Sequence, residues 1–285
     1  HRQERRQQLV GLGHGEHEIG SPRDVPAQIV GDRDDDPRAR LHLFDVREHL
    51  LEDAVEGRDR DIGYGFLRLF PSQPWQPLHL VQAGVAVGLA ALFQWGVALH
   101  DLELDRVVRG EVPRETVLRE LRPVLRKGLR QLAKDYVVFP VLAGPAFLPV
   151  VAGNLAANLA RNLWTFGIIF CGHFTADVET FPETVLQDES RGAWYLRQLR
   201  GSSNLTGGPL FHFLSGNLSH QIEHHLFPDV PAVRYGDMAV RVRAICGRYG
   251  QYYNTGSFWR QFASVLARIV RFSFPTRQPN AAATV

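Results

Sequence analysis

Three histidines fall within six positions in the segment Asn217-Leu-Ser-His-Gln-Ile-Glu-His-His-Leu-Phe-Pro228. His220 and His224 stand i, i+4, a spacing that puts two side chains on one face of a helix, with His225 beside them. Imidazole is a good ligand for iron, zinc, copper or nickel. Two rings on one face would fix one ion, while the third would reach a second ion or turn sideways. Glu223 would accept a ring N–H or ligate directly. The bland alternative is histidines that merely pack or face solvent, and their density weighs against it. His173 is a further candidate, just past a long uncharged stretch in Cys171-Gly-His-Phe174. Upstream of it Asn154, Asn158 and Asn162 repeat every four residues, with Arg161 beside them. In a helix continued to His173, that ring lies only about 20° around the axis from Asn162. Polar groups in an apolar helix normally face the protein interior or a wet site, so the stripe points at something polar. HEXXH is absent, which disfavours a zinc hydrolase, and so are the GxSxG, P-loop and Rossmann signatures. Gly207-Gly208 reads as a turn.

The elements that must position these residues differ sharply along the chain. Residues 1–61 are polar and broken by Gly and Pro, except that Leu41 to Gly57 could form one amphipathic helix. From Leu69 through His100 there is no Asp, Glu, Lys or Arg, and Leu78 to Leu99 is long enough to cross a hydrocarbon layer of ~30 Å. Trp75 and Trp95 would anchor it at the interfaces. Pro113 opens a basic amphipathic stretch running to Asp135, which reads as lying on a cytoplasmic headgroup surface and should kink or split at Pro123. Pro140, Pro145 and Pro149 predict an irregular half-span from Tyr136 to Leu148. A helix from about Val150 to about Gly172 follows, roughly 34 Å long at ~1.5 Å per residue. Beyond Asp177 the chain is soluble in character, with amphipathic helices expected at 234–250 and 257–272 and a frayed tail from Thr276. The fold class expected is all-α: a helical integral membrane protein, multi-pass, with a cytoplasmic helical cap carrying a His-rich metal site.

Composition narrows the function. The 285 residues carry 32 Lys plus Arg against 30 Asp plus Glu, a formal +2, which argues against a nucleic-acid binder. Cys171 and Cys246 are too few for a disulfide scaffold or a Cys-rich metal site. A mean hydropathy of -0.16 averages a polar first stretch with long uncharged runs and says little about solubility.

The residues also carry a resemblance. HQIEHHLFP resembles the third histidine box of the membrane fatty acid desaturases, HxxHH or its QxxHH variant, with Gln221, His224 and His225 in the latter. RDRDIGYGF, WQPLHL, WGVALHDLEL, LAKDYVVFP, NLARNLWTFGIIFCGHF and GSSNLTGG are similar to the actinobacterial acyl desaturase branch, over about Arg58 to about Pro275. The resemblance implies a non-haem diiron centre at the cytoplasmic face. It further implies O2 and two electrons from a ferredoxin or cytochrome b5 partner, and a cis double bond made in a fatty acyl chain carried on CoA or phospholipid. It makes His173, His220, His224 and His225 candidate metal ligands. Gln221, Glu223, Asn162 and Asn217 stand as supporting or alternative ligands, with the choice between His220 and Gln221 open. Two earlier boxes of the family are not found: His14, His17, His42 and His49 have other spacings. Residues 1–57 are therefore expected to come from a frameshift or misjoined reading frame, and the polypeptide as written to bind iron weakly and not to desaturate. The alternatives are a hydroxylase on the same scaffold and a degenerate, non-catalytic membrane protein.

Overall fold

The structure is a computed structural model that describes residues 54–56, 67–100 and 114–276, all within one compact unit spanning 46–285. Within it the chain is mostly helical. After a 3-10 turn at Pro77–Val81 come α1 (Gln82–Ala91), α2 (Phe93–His100), α3 (Arg114–Ala133), a π-helical turn at Lys134–Val138, α4 (Phe139–Leu142) and α5 (Phe147–His173). Then follow α6 (Arg191–Arg200), β1 (Asn204–Thr206), α7 (Pro209–Leu214), α8 (Gln221–Leu226), α9 (Tyr235–Arg248), β2 (Thr255–Ser257) and α10 (Phe258–Phe272). The two short strands pair in parallel, Asn204 opposite Thr255 and Thr206 opposite Ser257.

The segments after residue 149 form as expected: α5, α9 and α10 fall within three residues of the bounds read from the sequence. The uncharged run before them does not form one span. It breaks at Leu92, whose backbone (φ -115, ψ 26) leaves the helical region. A side chain from another helix supports the break. Asn162 on α5 donates its amide to the Ala91 carbonyl at 2.8 Å and accepts from the Gln94 N–H at 3.3 Å. Those are backbone groups that a break leaves without helical partners, so an inserted amide stabilises the joint. Pro123 does not split α3, which continues through it. Its position is exposed, so water can serve the carbonyl that the missing N–H abandons. Residues 54–56, at the end of the helix expected over Leu41 to Gly57, instead form a bridge: Val55 pairs with Phe181. The rest of that helix lies outside the described residues.

Among the described residues no helix is long and apolar enough to cross a membrane. α5 has the length, 27 residues, but Asn154, Asn158, Arg161 and Asn162 dilute it. The two tryptophans expected at interfaces are used internally. Trp75 donates to the Ser273 carbonyl at 2.9 Å, and Trp95 lies against Gly128 of α3.

The main core sits between α1, α2, α5 and α10. Phe166, Phe170 and Phe174 recur at four-residue steps on and just past α5; Phe166 stacks on Phe170, Phe174 meets Phe170 edge-on, and Phe93 is edge-on at 5.7 Å from Phe166. Arg68 is buried beside this core and donates to the carbonyls of Gln73, Phe272 and Phe274, tying the 67–73 segment to the end of α10. A second cluster of Leu199, Ile222, Leu226, Val242 and Cys246 fixes α8 between α6 and α9. This cluster sets where the histidine box can point.

Candidate metal centre

The box is presented by a turn followed by a single short helix. α7 ends in two consecutive left-handed residues, Gly216 (φ 61) and Asn217 (φ 62). Asparagine tolerates that conformation better than most side-chain-bearing residues. The Asn217 N–H returns to the His212 carbonyl, and its own carbonyl receives the His220 N–H. His220 (φ -102, ψ 58) is therefore still outside the helix, which starts at Gln221. The expected shared face of His220 and His224 does not form. The pair that shares a face is Gln221 and His225, also i, i+4 and one position later.

Those two side chains meet His173 from the end of α5. The Gln221 amide nitrogen lies 3.0 Å from His173 Nε2 and 2.9 Å from His225 Nε2, and the two rings are 5.0 Å apart between centroids. An amide NH2 has two hydrogens to give, so both Nε2 atoms accept and both direct lone pairs at one point. For His225 the other side of the ring agrees. Its Nδ1 lies 3.0 Å from the Gln198 amide oxygen, which can only accept, so Nδ1 carries the proton and Nε2 is left as a ligand atom. Gln198 is fully buried on α6, which holds the ring in this tautomer. Close approach requires Gly172: a Cβ there would lie 2.9 Å from Gln221 Cγ.

The other candidates go elsewhere. His224 turns to Tyr235, Nδ1 to hydroxyl 3.2 Å, edge-on to His225. His220 stacks on His212, a residue outside every motif, at 4.5 Å and 19° between planes. Burial holds its pKa down to about 4, with the neighbouring His212 and the charge of Arg243 adding to the effect. It is neutral at pH 7, so its 4.0 Å contact with Glu223 is dipolar and not an ion pair. Glu223, wholly buried, accepts from Asn204 at 2.7 Å and from the Tyr253 hydroxyl at 2.9 Å, while Asn204 also accepts the Ile222 N–H. Burial raises the Glu223 pKa, and the bonds from Asn204 and Tyr253 oppose that rise. This carboxyl anchors α8 to β1. Asn162 serves the α1–α2 joint, and Asn217 shapes the turn. Gln198, Tyr235, Asn204 and Tyr253 had no signal in the sequence, because each lies eleven or more residues from the box position it contacts.

The described residues thus offer two imidazole nitrogens and one amide converging on a point. Among them no group of three or more His, Cys, Asp or Glu gathers as a metal-holding set. A protein-held diiron centre of the helical-bundle type has about six side-chain ligands. The described residues therefore do not by themselves fit a two-iron centre.

The sequence model of the family described as "Fatty acid desaturase" matches residues 46–257. The chain belongs to the fatty acid desaturase family. It is 42% identical over 227 residues to the NADPH-dependent stearoyl-CoA 9-desaturase of Mycobacterium tuberculosis, covering 78% of this chain and 53% of that protein. It is 26% identical over 224 residues to the acyl-lipid (7-3)-desaturase of Rebecca salina, covering 78% of this chain and 50% of the relative. To the sn-1 linoleoyl-lipid 6-desaturase of Synechocystis it is 27% identical over 211 residues, 70% of this chain and 56% of the relative. The chain spans about half the length of the curated relatives it matches. No solved structure matches it.

Proposed function

We propose that this chain is part of an O2-dependent fatty acyl desaturase of lipid metabolism. In this reading it supplies a fraction of the ligands of a non-haem diiron centre that introduces a cis double bond. The observation that carries the proposal is the convergence of His173 Nε2 and His225 Nε2 on the Gln221 amide, with Gln198 setting the His225 tautomer. Bound iron would supply activation of O2. His173 and His225 would hold it; Gln221 would join only by turning its amide oxygen, in place of the NH2, towards the two rings, and His224 only by leaving Tyr235. His220 is not in this set. The chain divides as residues 1–57, a desaturase region at 58–275 and a tail at 276–285. The acyl substrate, on CoA or phospholipid, a ferredoxin or cytochrome b5-type donor, and a membrane location with the site at the cytoplasmic face follow from the same reading.

By itself the chain should bind iron weakly, at fewer than two ions, and leave a labelled stearoyl substrate unchanged. A chimera should restore the reaction: the N-terminal half of the Mycobacterium tuberculosis relative joined ahead of Arg58, assayed for fatty acid products by gas chromatography and mass spectrometry. A new cis double bond supports the desaturase reading. A hydroxylated product transfers the chain to the hydroxylase alternative. A folded, iron-loaded chimera with no product sinks both and leaves a non-catalytic protein. A stable two-iron complex of the unfused chain would overturn the partial-site reading.

A further inference from the structure

Helix α3 has three faces, and only one of them is used by the rest of the described molecule. Leu121, Val124, Gly128, Gln131 and, just beyond its end, Asp135 recur at three- and four-residue steps and are the less exposed positions. Gly128 meets Trp95, where an added Cβ would lie 2.7 Å from the ring, and Gln131 receives the Gln94 amide at 2.8 Å. Beside this face runs a leucine flank. Leu118, Leu125, Leu129 and Leu132 fall within about 60° of arc at ~100° per residue. They are 63%, 53%, 65% and 44% exposed. The flank continues past the π-helical turn into Val137, Val138, Phe139, Val141 and Leu142, all exposed.

The remaining arc is mainly cationic, with the exposed Glu115 at its N-terminal end. Arg119, Arg122, Arg126, Lys127 and Arg130 are all exposed. Arg122, Arg126, Lys127 and Arg130 with Pro123 line a cleft of about 350 Å³, and among the described residues no acidic side chain lines it. Among the described residues, Asp135 pairs with Lys134 at 3.5 Å and no carboxylate pairs with those four. A helix solvated on its outer side would place charge on both open faces. This one keeps leucine on one and cations on the other, the pattern that settles a helix at the boundary between acyl chains and anionic headgroups. The aliphatic stems of Arg and Lys can lie along the apolar layer while their charged ends reach phosphate.

We infer that α3 is a binding surface for anionic phospholipid: its leucine flank enters the acyl layer and the Arg122, Arg126, Lys127 and Arg130 cleft takes the lipid phosphate. The inference rests on the membrane reading above and adds to it a preference among lipids. Each Lys or Arg near an anionic leaflet contributes on the order of 1 kcal/mol, or about fivefold in affinity.

The test uses the full chain in mild detergent, incubated with equal amounts of phosphatidylcholine and phosphatidylglycerol, with the retained lipid measured after gel filtration. Phosphatidylglycerol should be enriched about fivefold or more. The combined variant Arg122→Gln, Arg126→Gln, Lys127→Gln, Arg130→Gln should fall to near parity while retaining as much lipid in total. A control variant, Arg241→Gln with Arg248→Gln, changes exposed arginines on α9 and should keep the enrichment. If the combined variant loses helicity, 0.5 M salt on the unaltered chain gives the same answer by screening the cleft. Equal retention of the two lipids overturns the inference, as does a preference that survives the combined variant or the salt. So does displacement of phosphatidylglycerol by excess coenzyme A, which would make the occupant a soluble phosphate. Retention of neither lipid would instead sink the membrane reading.

Discussion

Two pairs of imidazoles lie within one short stretch of structure, and they are built to opposite ends. His173 and His225 are 5.0 Å apart and tilted by 56°, with both Nε2 atoms aimed at the Gln221 amide. His212 and His220 are 4.5 Å apart and nearly parallel at 19°. Parallel stacked rings direct their nitrogens outward within separate planes, so the second pair makes a packed contact and not a chelate. Both pairs are equally rich in histidine. The difference comes from where the backbone becomes helical: Gly216 and Asn217 delay the helix to Gln221, which hands the inward face to Gln221 and His225 and leaves His220 against α7. Density of ligand residues marks the neighbourhood, and the local start of a helix selects among them.

The largest expected effect removes the scaffold common to both pairs. Asn204→Leu unpairs the Ile222 N–H and one bond to the buried Glu223, and should cost about 2–5 kcal/mol in chemical unfolding. A loss below ~1 kcal/mol would mean that Asn204 does not anchor the box. Next, Gln198→Leu should weaken Co(II) or Fe(II) binding by roughly 10–100-fold, since the His225 tautomer is no longer imposed. Unchanged metal titrations would show that the tautomer is fixed elsewhere.

The stacked pair gives a pH signature. The folded His220 pKa of about 4 lies below the ordinary 6.5, so the unfolded chain binds a proton that the folded one refuses. Its contribution is full above about pH 6.5 and is lost as pH falls towards 4, on the order of 1–3 kcal/mol. Glu223 acts in the opposite sense: its raised pKa favours the folded state at low pH, and that favour disappears as pH rises out of the ordinary carboxyl range. The difference between unaltered chain and His220→Asn across pH 4–6.5 isolates the histidine; parallel curves would reject its burial as neutral imidazole. The smallest effect sharpens the comparison most. His220→Asn should leave metal affinity within about twofold, whereas a loss comparable to that of His225→Ala would return His220 to the ligand set.

Several features were legible from residue pattern alone. The uncharged stretch ending at Cys171-Gly-His, the periodic apolar residues of α9 and α10, and the HQIEHHLFP segment each depend on neighbours within a few positions, where period and propensity dominate. The misread span and the misread polar stripe share one cause, which is distance along the chain, whereas the misread histidine face comes from the local torsions at Gly216 and Asn217. Leu78 to Leu99 is apolar enough for one span, yet Asn162, about seventy residues later, inserts its amide at Ala91 and Gln94 and supports the break. The Asn154, Asn158 and Asn162 stripe does face polar groups, but they belong to Asp135, Tyr136 and the α1–α2 joint and not to the histidines.

By itself the sequence determined that this protein is helical and that it resembles the fatty acid desaturases, and it singled out His173 and the residues from His220 to His225 as candidates. Those properties follow from local periodicity and from motif spacing, which a linear chain displays in full. Only the tertiary structure set Gln221, and not His220, against His173 and His225, turned His224 to Tyr235, and recruited Gln198 and Asn204. Each of those outcomes depends on a backbone torsion at Gly216 and Asn217 or on a hydrogen bond between elements remote in sequence. Neither torsion nor long-range pairing is written in the spacing of the box.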